Sequence, residues 1–298
     1  MIIVQFTGGL GNQMFQYALG RRLSLLHDVE LKFDLSFYQH DILRDFMLDR
    51  FQVNGQVATE KEIEAYTNTP IFALDRPLLD RLVRWGLYRG IVSVSDEPPG
   101  KQALMVYNSR VLQAPRNTYV QGYWQSEKYF MPIRQKLLDD FSLVDKADQA
   151  NGAMLEKIRQ CHSVSLHVRR GDYVSNPLTN HSHGTCGLEY YEKAIALIGS
   201  KVDDPHFFVF SDDPEWTRDH LKCRFPMTYV TCNSADSCEW DMELMRHCRD
   251  HIIANSSFSW WGAWLNMNPD KVVVAPAAWF NNFSADTSDL IPDSWVRI

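Results

Sequence analysis

The chain has 298 residues with a formal net charge of −7, 45% hydrophobic and 22% charged residues. That length accommodates one large or two medium domains, either with a substantial core and no covalent staples. The acidic balance argues against a surface devoted to nucleic acid or an anionic membrane, so an anion site would have to be a local basic pocket.

At the N-terminus, MIIVQFTGGLGNQ lacks the basic and long apolar regions of a secretory signal. No run approaches the ~18 apolar residues that span a bilayer. A cytoplasmic protein is expected. "IIVQF" reads as a strand, Gly8, Gly9 and Gly11 as a turn, and the segment from Asn12 as a helix. Phe15, Leu19 and Leu23, with Ala18 and Leu26, repeat there at helical spacing behind Asn12 as N-cap. "VELKF", closed by Asp34, is the next strand. From about Asp41 to Pro115 the prolines break the pattern; "DRPLLDRLVRWGLY" is a helical piece among loops, and no topology follows. The polar stretch "VDKADQANG" (144–152) is a linker candidate, dividing the chain into domains 1–148 and 149–298.

Beyond it, strand-like runs at Val164–Val168, Phe207–Phe210, Met227–Val230, Ile252–Ala254 and Val272–Ala275 alternate with helical patterns. These are "LEYYEKAIALIG", "PEWTRDHL", "CEWDMELMRHC" and "SFSWWGAWLNM". Such alternation signals βαβ units and a parallel sheet covered on both faces. The expected fold class is α/β, two Rossmann-like domains with a cleft between them. The six cysteines all lie in this half without a C-x-x-C pair, which reads as reduced thiols.

Ligands bind at the carboxyl ends of parallel strands, and four polar clusters fall at such ends: Gly8–Asn12, Arg169–Asp172, Ser211–Asp213 and Asn255–Phe258. The adjacent Arg169 and Arg170 repel one another and are costly to desolvate. Either they fork onto phosphate oxygens, or they pair with neighbouring acids. Gly9-x-Gly11 with Asp34 permits a dinucleotide reading, although Met14 stands at the third glycine position. Asp212 suits the N–H groups of a guanine, with His167 on the same base, while Asp213 suits an N-cap ahead of Pro214. Ser256 and Ser257 open a helix that can cradle an anion. Trp260, Trp261 and Trp264 either stack on a sugar or pack in the core. His181 and His183 lack companion ligands for a metal. No two aspartates stand two apart, so the D-x-D that holds a divalent ion on sugar nucleotides is missing, which points to arginines and backbone amides.

"GGLGNQMFQYA", "HVRRGDYV", "FSDD" and "NSSFSWWGAW", in this order, resemble the α-1,2-fucosyltransferases in their compact bacterial form. The resemblance runs to about Pro276 and is weakest over 41–115. It implies a GT-B architecture, with GDP-fucose held mainly by the C-terminal domain and the N-terminal domain on the acceptor side. It also implies metal-independent, inverting transfer of L-fucose to the 2-hydroxyl of a galactoside. By that resemblance Arg169 meets the β-phosphate, Arg170 supports the pocket and His167 contacts guanine or ribose. Asn12, Ser256, Ser257 and Phe258 lie on the phosphate side, and Asp212 contacts the base. Asp172 is the general-base candidate. Contact with a membrane would be peripheral at most. The rivals are an NAD-dependent oxidoreductase built on Gly9-x-Gly11 and Asp34, and a non-catalytic glycan-binding protein using the tryptophans.

Overall fold

Apolar side chains on both faces put β1 (Ile2–Gln5) at the centre of a sheet: Ile2, Ile3 and Val4 are all fully buried. The computed structural model describes residues 1–41, 44–67, 92–95, 105–175, 184–281 and 286–298, except the side chains of residues 92, 172 and 175. These form two units, Met1–Val144 with Asp286–Leu290, and Asp145–Ala285 with Ile291–Ile298. The predicted helix over 75–88, and His181 and His183, lie outside the described residues.

In the first unit, β1 leads through α1 (Leu10–His27) to β2 (Leu31–Asp34), as expected of a βαβ opening. The chain continues through β3 (Gln56–Val57), α2 (Glu60–Thr67), β4 (Val92–Ser95), β5 (Thr118–Gln121) and α3 (Arg134–Asp140). Among the described residues the strands make one parallel sheet in the order β3-β2-β1-β5-β4. Phe15, Ala18, Leu19 and Leu23 are buried as their spacing predicts, whereas Leu26, in the last turn of α1, is exposed. At Gly20 a Cβ would lie 3.0 Å from Leu31 Cδ1 and closer still to Val4 Cγ2, so glycine sets the approach of α1 to the sheet.

The second unit opens with α4 (Gln149–Arg159), which absorbs the end of the predicted linker; Asp148 caps it, accepting from Asn151 N at 2.7 Å. Then come β6 (His162–Val168), α5 (Gly171–Ser175), α6 (Leu188–Lys201), β7 (Pro205–Ser211), α7 (Pro214–His220) and β8 (Met227–Tyr229). The last part comprises α8 (Cys238–His247), β9 (Asp250–Ile252), α9 (Ser257–Leu265), β10 (Val273–Ala275) and β11 (Val296–Arg297). Among the described residues all strands are parallel, in the order β11-β10-β9-β6-β7-β8. The expected α/β class, with two Rossmann-like parallel-sheet halves, is what the chain adopts.

Period-2 alternation in β6 sorts its side chains between two layers. Val164, Leu166 and Val168 pack on Tyr191, Ala194, Ile195 and Ile198 of α6. Ser163, Ser165 and His167 take the other face, where Phe208 and Phe210 of β7 meet Ile158 of α4 and Leu244 and Met245 of α8. Ser165 finds a partner on that buried face: its Oγ lies 2.8 Å from His251 Nδ1, and His251 Nε2 lies 2.8 Å from Asn266 Nδ2. Trp260, Trp261 and Trp264 are all buried in α9, which is their core reading. All six cysteines are free thiols. No helix among the described residues is long and apolar enough to cross a membrane.

Candidate active site

In the second unit, three of the four polar clusters fall at the carboxyl ends of neighbouring strands. Arg169–Asp172 follows β6, Ser211–Asp213 follows β7, and Asn255–Phe258 lies just past β9, with β6 in the middle. The β6–β7 register pairs Val168 with Ser211, so the sequences Arg169-Arg170 and Asp212-Asp213 leave the sheet side by side. Adjacent strands stand only ~4.8 Å apart, and opposite charges meet there. Arg169 Nη1 lies 2.8 Å from Asp212 Oδ2, and Arg170 Nε lies 3.1 Å from Asp213 Oδ2.

The two arginines are held differently. The Arg170 guanidinium is clamped between Asp213 and the Trp216 ring, 3.6 Å from the ring centroid. It is therefore a brace between the β6 loop and α7. Asp213 doubles as the predicted N-cap of α7, accepting from Trp216 N at 3.2 Å, with Pro214 at the first helical position. Arg169 sits between Asp212 and the Tyr173 ring, 5.3 Å from its centroid. Tyr173 is four residues on from Arg169, and its hydroxyl donates to Asn255 O at 3.4 Å, tying the β6 loop to the β9 end.

His167 completes this corner. It keeps 6% of its surface, its ring stands 5.8 Å from that of Phe258, and its Nδ1 is buried without a hydrogen-bond partner. Burial, aided by the Arg169 charge, brings its pKa down to about 3. The ring is therefore neutral in physiological buffer. A neutral imidazole suits a base edge or a ribose hydroxyl better than it suits a phosphate. A pH dependence follows. The folded pKa lies below the ordinary 6.5, so between those values the unfolded chain binds a proton that the folded chain refuses. Stability is expected to fall as pH drops below that ordinary value. Replacing His167 with glutamine should shrink the loss between pH 7.5 and pH 5 by on the order of 2 kcal/mol, read by urea unfolding.

Ser256 caps α9, its Oγ accepting from Phe258 N at 3.3 Å, and Ser257 begins that helix. Asn255, buried, anchors two passing segments through Nδ2, donating to Gly184 O at 3.2 Å and to Trp279 O at 3.1 Å. Asp172 lies in α5; its side chain is outside the described residues. Arg169, Arg170, His167, Asp212, Ser256, Ser257 and Phe258 thus all belong to the second unit, at the ends of adjoining strands.

Asn12 belongs to the first unit. It does not cap α1: Gly9 takes that place, after Gly8 turns with φ +73°, and Asn12 lies inside the first turn. Its Oδ1 accepts from Gln125 Nε2 at 2.8 Å. The neighbouring Gln13 is fully buried and staples the turn, donating to Gly8 O at 3.0 Å and Asp45 O at 2.8 Å and accepting from Met47 N at 2.9 Å. Asp34, on which the dinucleotide rival relies, is buried as well. Its Oδ1 accepts from Ser36 N at 2.9 Å and its Oδ2 from the Tyr119 hydroxyl at 2.6 Å, so it presents no carboxylate edge to a ribose.

Sequence reasoning missed Tyr173 and Trp216 as members of this corner, and it placed Asn255 in the β9 cluster without its anchoring bonds. Those two were accessible from spacing: Tyr173 stands four residues on from Arg169, whose guanidinium its ring faces, and Trp216 three residues on from Asp213, whose carboxylate accepts its N–H.

The sequence pattern of Glycosyl transferase family 11 matches residues 1–298. The chain is similar to an alpha-1,2-colitosyltransferase of Escherichia coli, 34% identical over 302 residues that cover 100% of this chain and 99% of the relative. It is also similar to the O-antigen biosynthesis glycosyltransferase WbnK of Escherichia coli, 35% identical over 309 residues covering 98% of each. A galactoside 2-alpha-L-fucosyltransferase, Sec1 of Mus musculus, is 27% identical over 314 residues, covering 100% of this chain and 74% of the relative.

Proposed function

Because the chain belongs to glycosyl transferase family 11 and is a glycosyltransferase by that membership, we propose that it transfers L-fucose from GDP-β-L-fucose to the 2-hydroxyl of a terminal galactose, with inversion. The observation that supports this most is the corner at the ends of β6, β7 and β9. It gathers a guanidinium for a phosphate, a brace behind it and a neutral, unpartnered imidazole for the nucleoside. In the proposed reaction the acceptor oxygen attacks the anomeric carbon from the face opposite the nucleotide. The bond from that carbon to the β-phosphate oxygen breaks and its electron pair leaves with GDP. The acceptor's proton passes to Asp172 or to water. Arg169 stabilises the charge gained by the departing phosphate, without a metal ion. Ser256, Ser257 and Phe258 line the phosphate side, and His167 contacts guanine or ribose.

The family relatives favour one second reading. The likeness to a colitosyltransferase along the whole chain supports a donor carrying colitose, which is fucose without its 3-hydroxyl. GDP release from GDP-fucose and from GDP-colitose, each with a panel of galactosides and with a chelator present, distinguishes the two. Faster turnover of GDP-fucose upholds the first reading, faster turnover of GDP-colitose upholds the second, and release from neither removes both. Asp172→Asn is expected to abolish the acidic limb of the pH–rate profile if that carboxylate takes the proton, lowering kcat by on the order of 10²–10⁴-fold. A profile unchanged by the substitution assigns the proton to water.

A further inference from the structure

One carboxylate, that of Asp212, holds the loop beyond β6 at two points. Its Oδ2 lies 2.8 Å from Arg169 Nη1, and its Oδ1 accepts the backbone N–H of Arg170 at 2.8 Å. The next residue is Gly171, where a Cβ would stand 3.1 Å from Asp212 Cγ and closer still to Oδ2. Glycine there leaves room for the carboxylate, and the carboxylate fixes the side chain of one residue and the main chain of the next. Both oxygens are turned into the 169–171 loop, and neither is turned out as a free acceptor pair for the ring and amino N–H groups of a guanine. Arg170 is occupied elsewhere, by Asp213 and Trp216. Asp212 thus acts on Arg169, the arginine to which the proposed reaction assigns the donor phosphate.

We propose that Asp212 is the positioning residue for Arg169, aiming its guanidinium at the diphosphate of the donor, and that it does not read the base. This rests on the diphosphate-donor reading above. It separates from that reading because positioning and base reading move different quantities. A positioning carboxylate beside phosphates repels them in the ground state and improves the transition state only through the arginine. A base reader strengthens nucleotide binding directly.

Asp212→Asn preserves size and one acceptor oxygen but removes the charge. In the full chain it is expected to lower kcat on the order of 10–100-fold through a misplaced guanidinium. GDP binding by calorimetry should stay as tight as in the wild type or tighter. The ratio of GDP to IDP affinity, which reports recognition of the 2-amino group, should be unchanged. Gly171→Ala, which pushes the same carboxylate off Arg169, should give the same split. An unchanged kcat in both variants, a GDP affinity that falls in step with kcat, or a collapsed GDP-to-IDP ratio overturns the proposal. If the wild type prefers another nucleoside diphosphate, the GDP-donor reading fails alone, and the split between kcat and affinity is read with that nucleotide.

Discussion

Arg169→Ala is expected to lower turnover by about 10²–10³-fold, the equivalent of ~2.7–4 kcal/mol of barrier, with little change in folding stability. The size follows from where the charge develops. As the sugar–phosphate bond breaks, negative charge accumulates on the oxygen that leaves, and a guanidinium already fixed there needs no reorganisation. Arg169 is fixed: Asp212 holds it from one side, and the Tyr173 ring lies 5.3 Å from its guanidinium carbon. Because the interaction strengthens towards the transition state, the loss should fall on kcat more than on KM. Lysine at 169 keeps the charge and loses the planar fork, so it should recover only part of the activity. Arg170→Ala offers the internal comparison. Its guanidinium is spent on Asp213 and on Trp216 at 3.6 Å, so its removal should loosen α7 and lower the unfolding midpoint as well as activity. Steady-state kinetics and urea unfolding on the two variants decide the matter. A 169 variant within a few-fold of wild type would take Arg169 out of the mechanism.

The paired arginines also show what a sequence can and cannot disclose. Their place at a strand end was legible, since an apolar β-branched run followed by a polar cluster in a βαβ pattern marks the ligand end of a parallel sheet. Their choice between phosphate and neighbouring acid was not, because it depends on register. Once Val168 is known to pair with Ser211, the aspartates stand opposite the arginines by construction. Each guanidinium then has its own carboxylate. No bound diphosphate is required to make the pair tolerable, and the corner is preorganised as it stands. In the first unit the reading stopped earlier. β5 carries only Thr118–Gln121 and pairs with β1, more than a hundred residues away in sequence, so no local pattern announces it. Gln13 and Gln16 look like solvent-facing letters in α1, yet both are fully buried. Their amides satisfy the backbone of the turn, as Gln16 does for Thr7 at 3.1 Å, and side-chain satisfaction of that kind leaves no periodic trace.

The largest expected loss of stability belongs to Trp260→Ala. Trp260 is fully buried, 5.0 Å from the Trp261 ring, 6.1 Å from Trp264 and 5.4 Å from Trp295, centroid to centroid. Cutting such a side chain back to a methyl group removes its transfer free energy and leaves a cavity that neighbouring indoles are too rigid to fill, a cost of about 3–5 kcal/mol. Against the ~5–15 kcal/mol that folds a typical domain, that is a large share. The contact with Trp295 adds a further consequence. It ties α9 to the C-terminal segment that pairs β11 onto β10, so the damage should spread to that edge of the sheet. Chemical unfolding followed by tryptophan fluorescence measures the loss, and faster amide exchange along β10 and β11 locates it. The same variant judges the glycan-binding rival. If the tryptophans serve as a sugar platform, galactoside affinity should vanish while the unfolding midpoint stays put. If they serve as core, the midpoint should fall steeply, and the fraction that remains folded should bind galactosides as the wild type does.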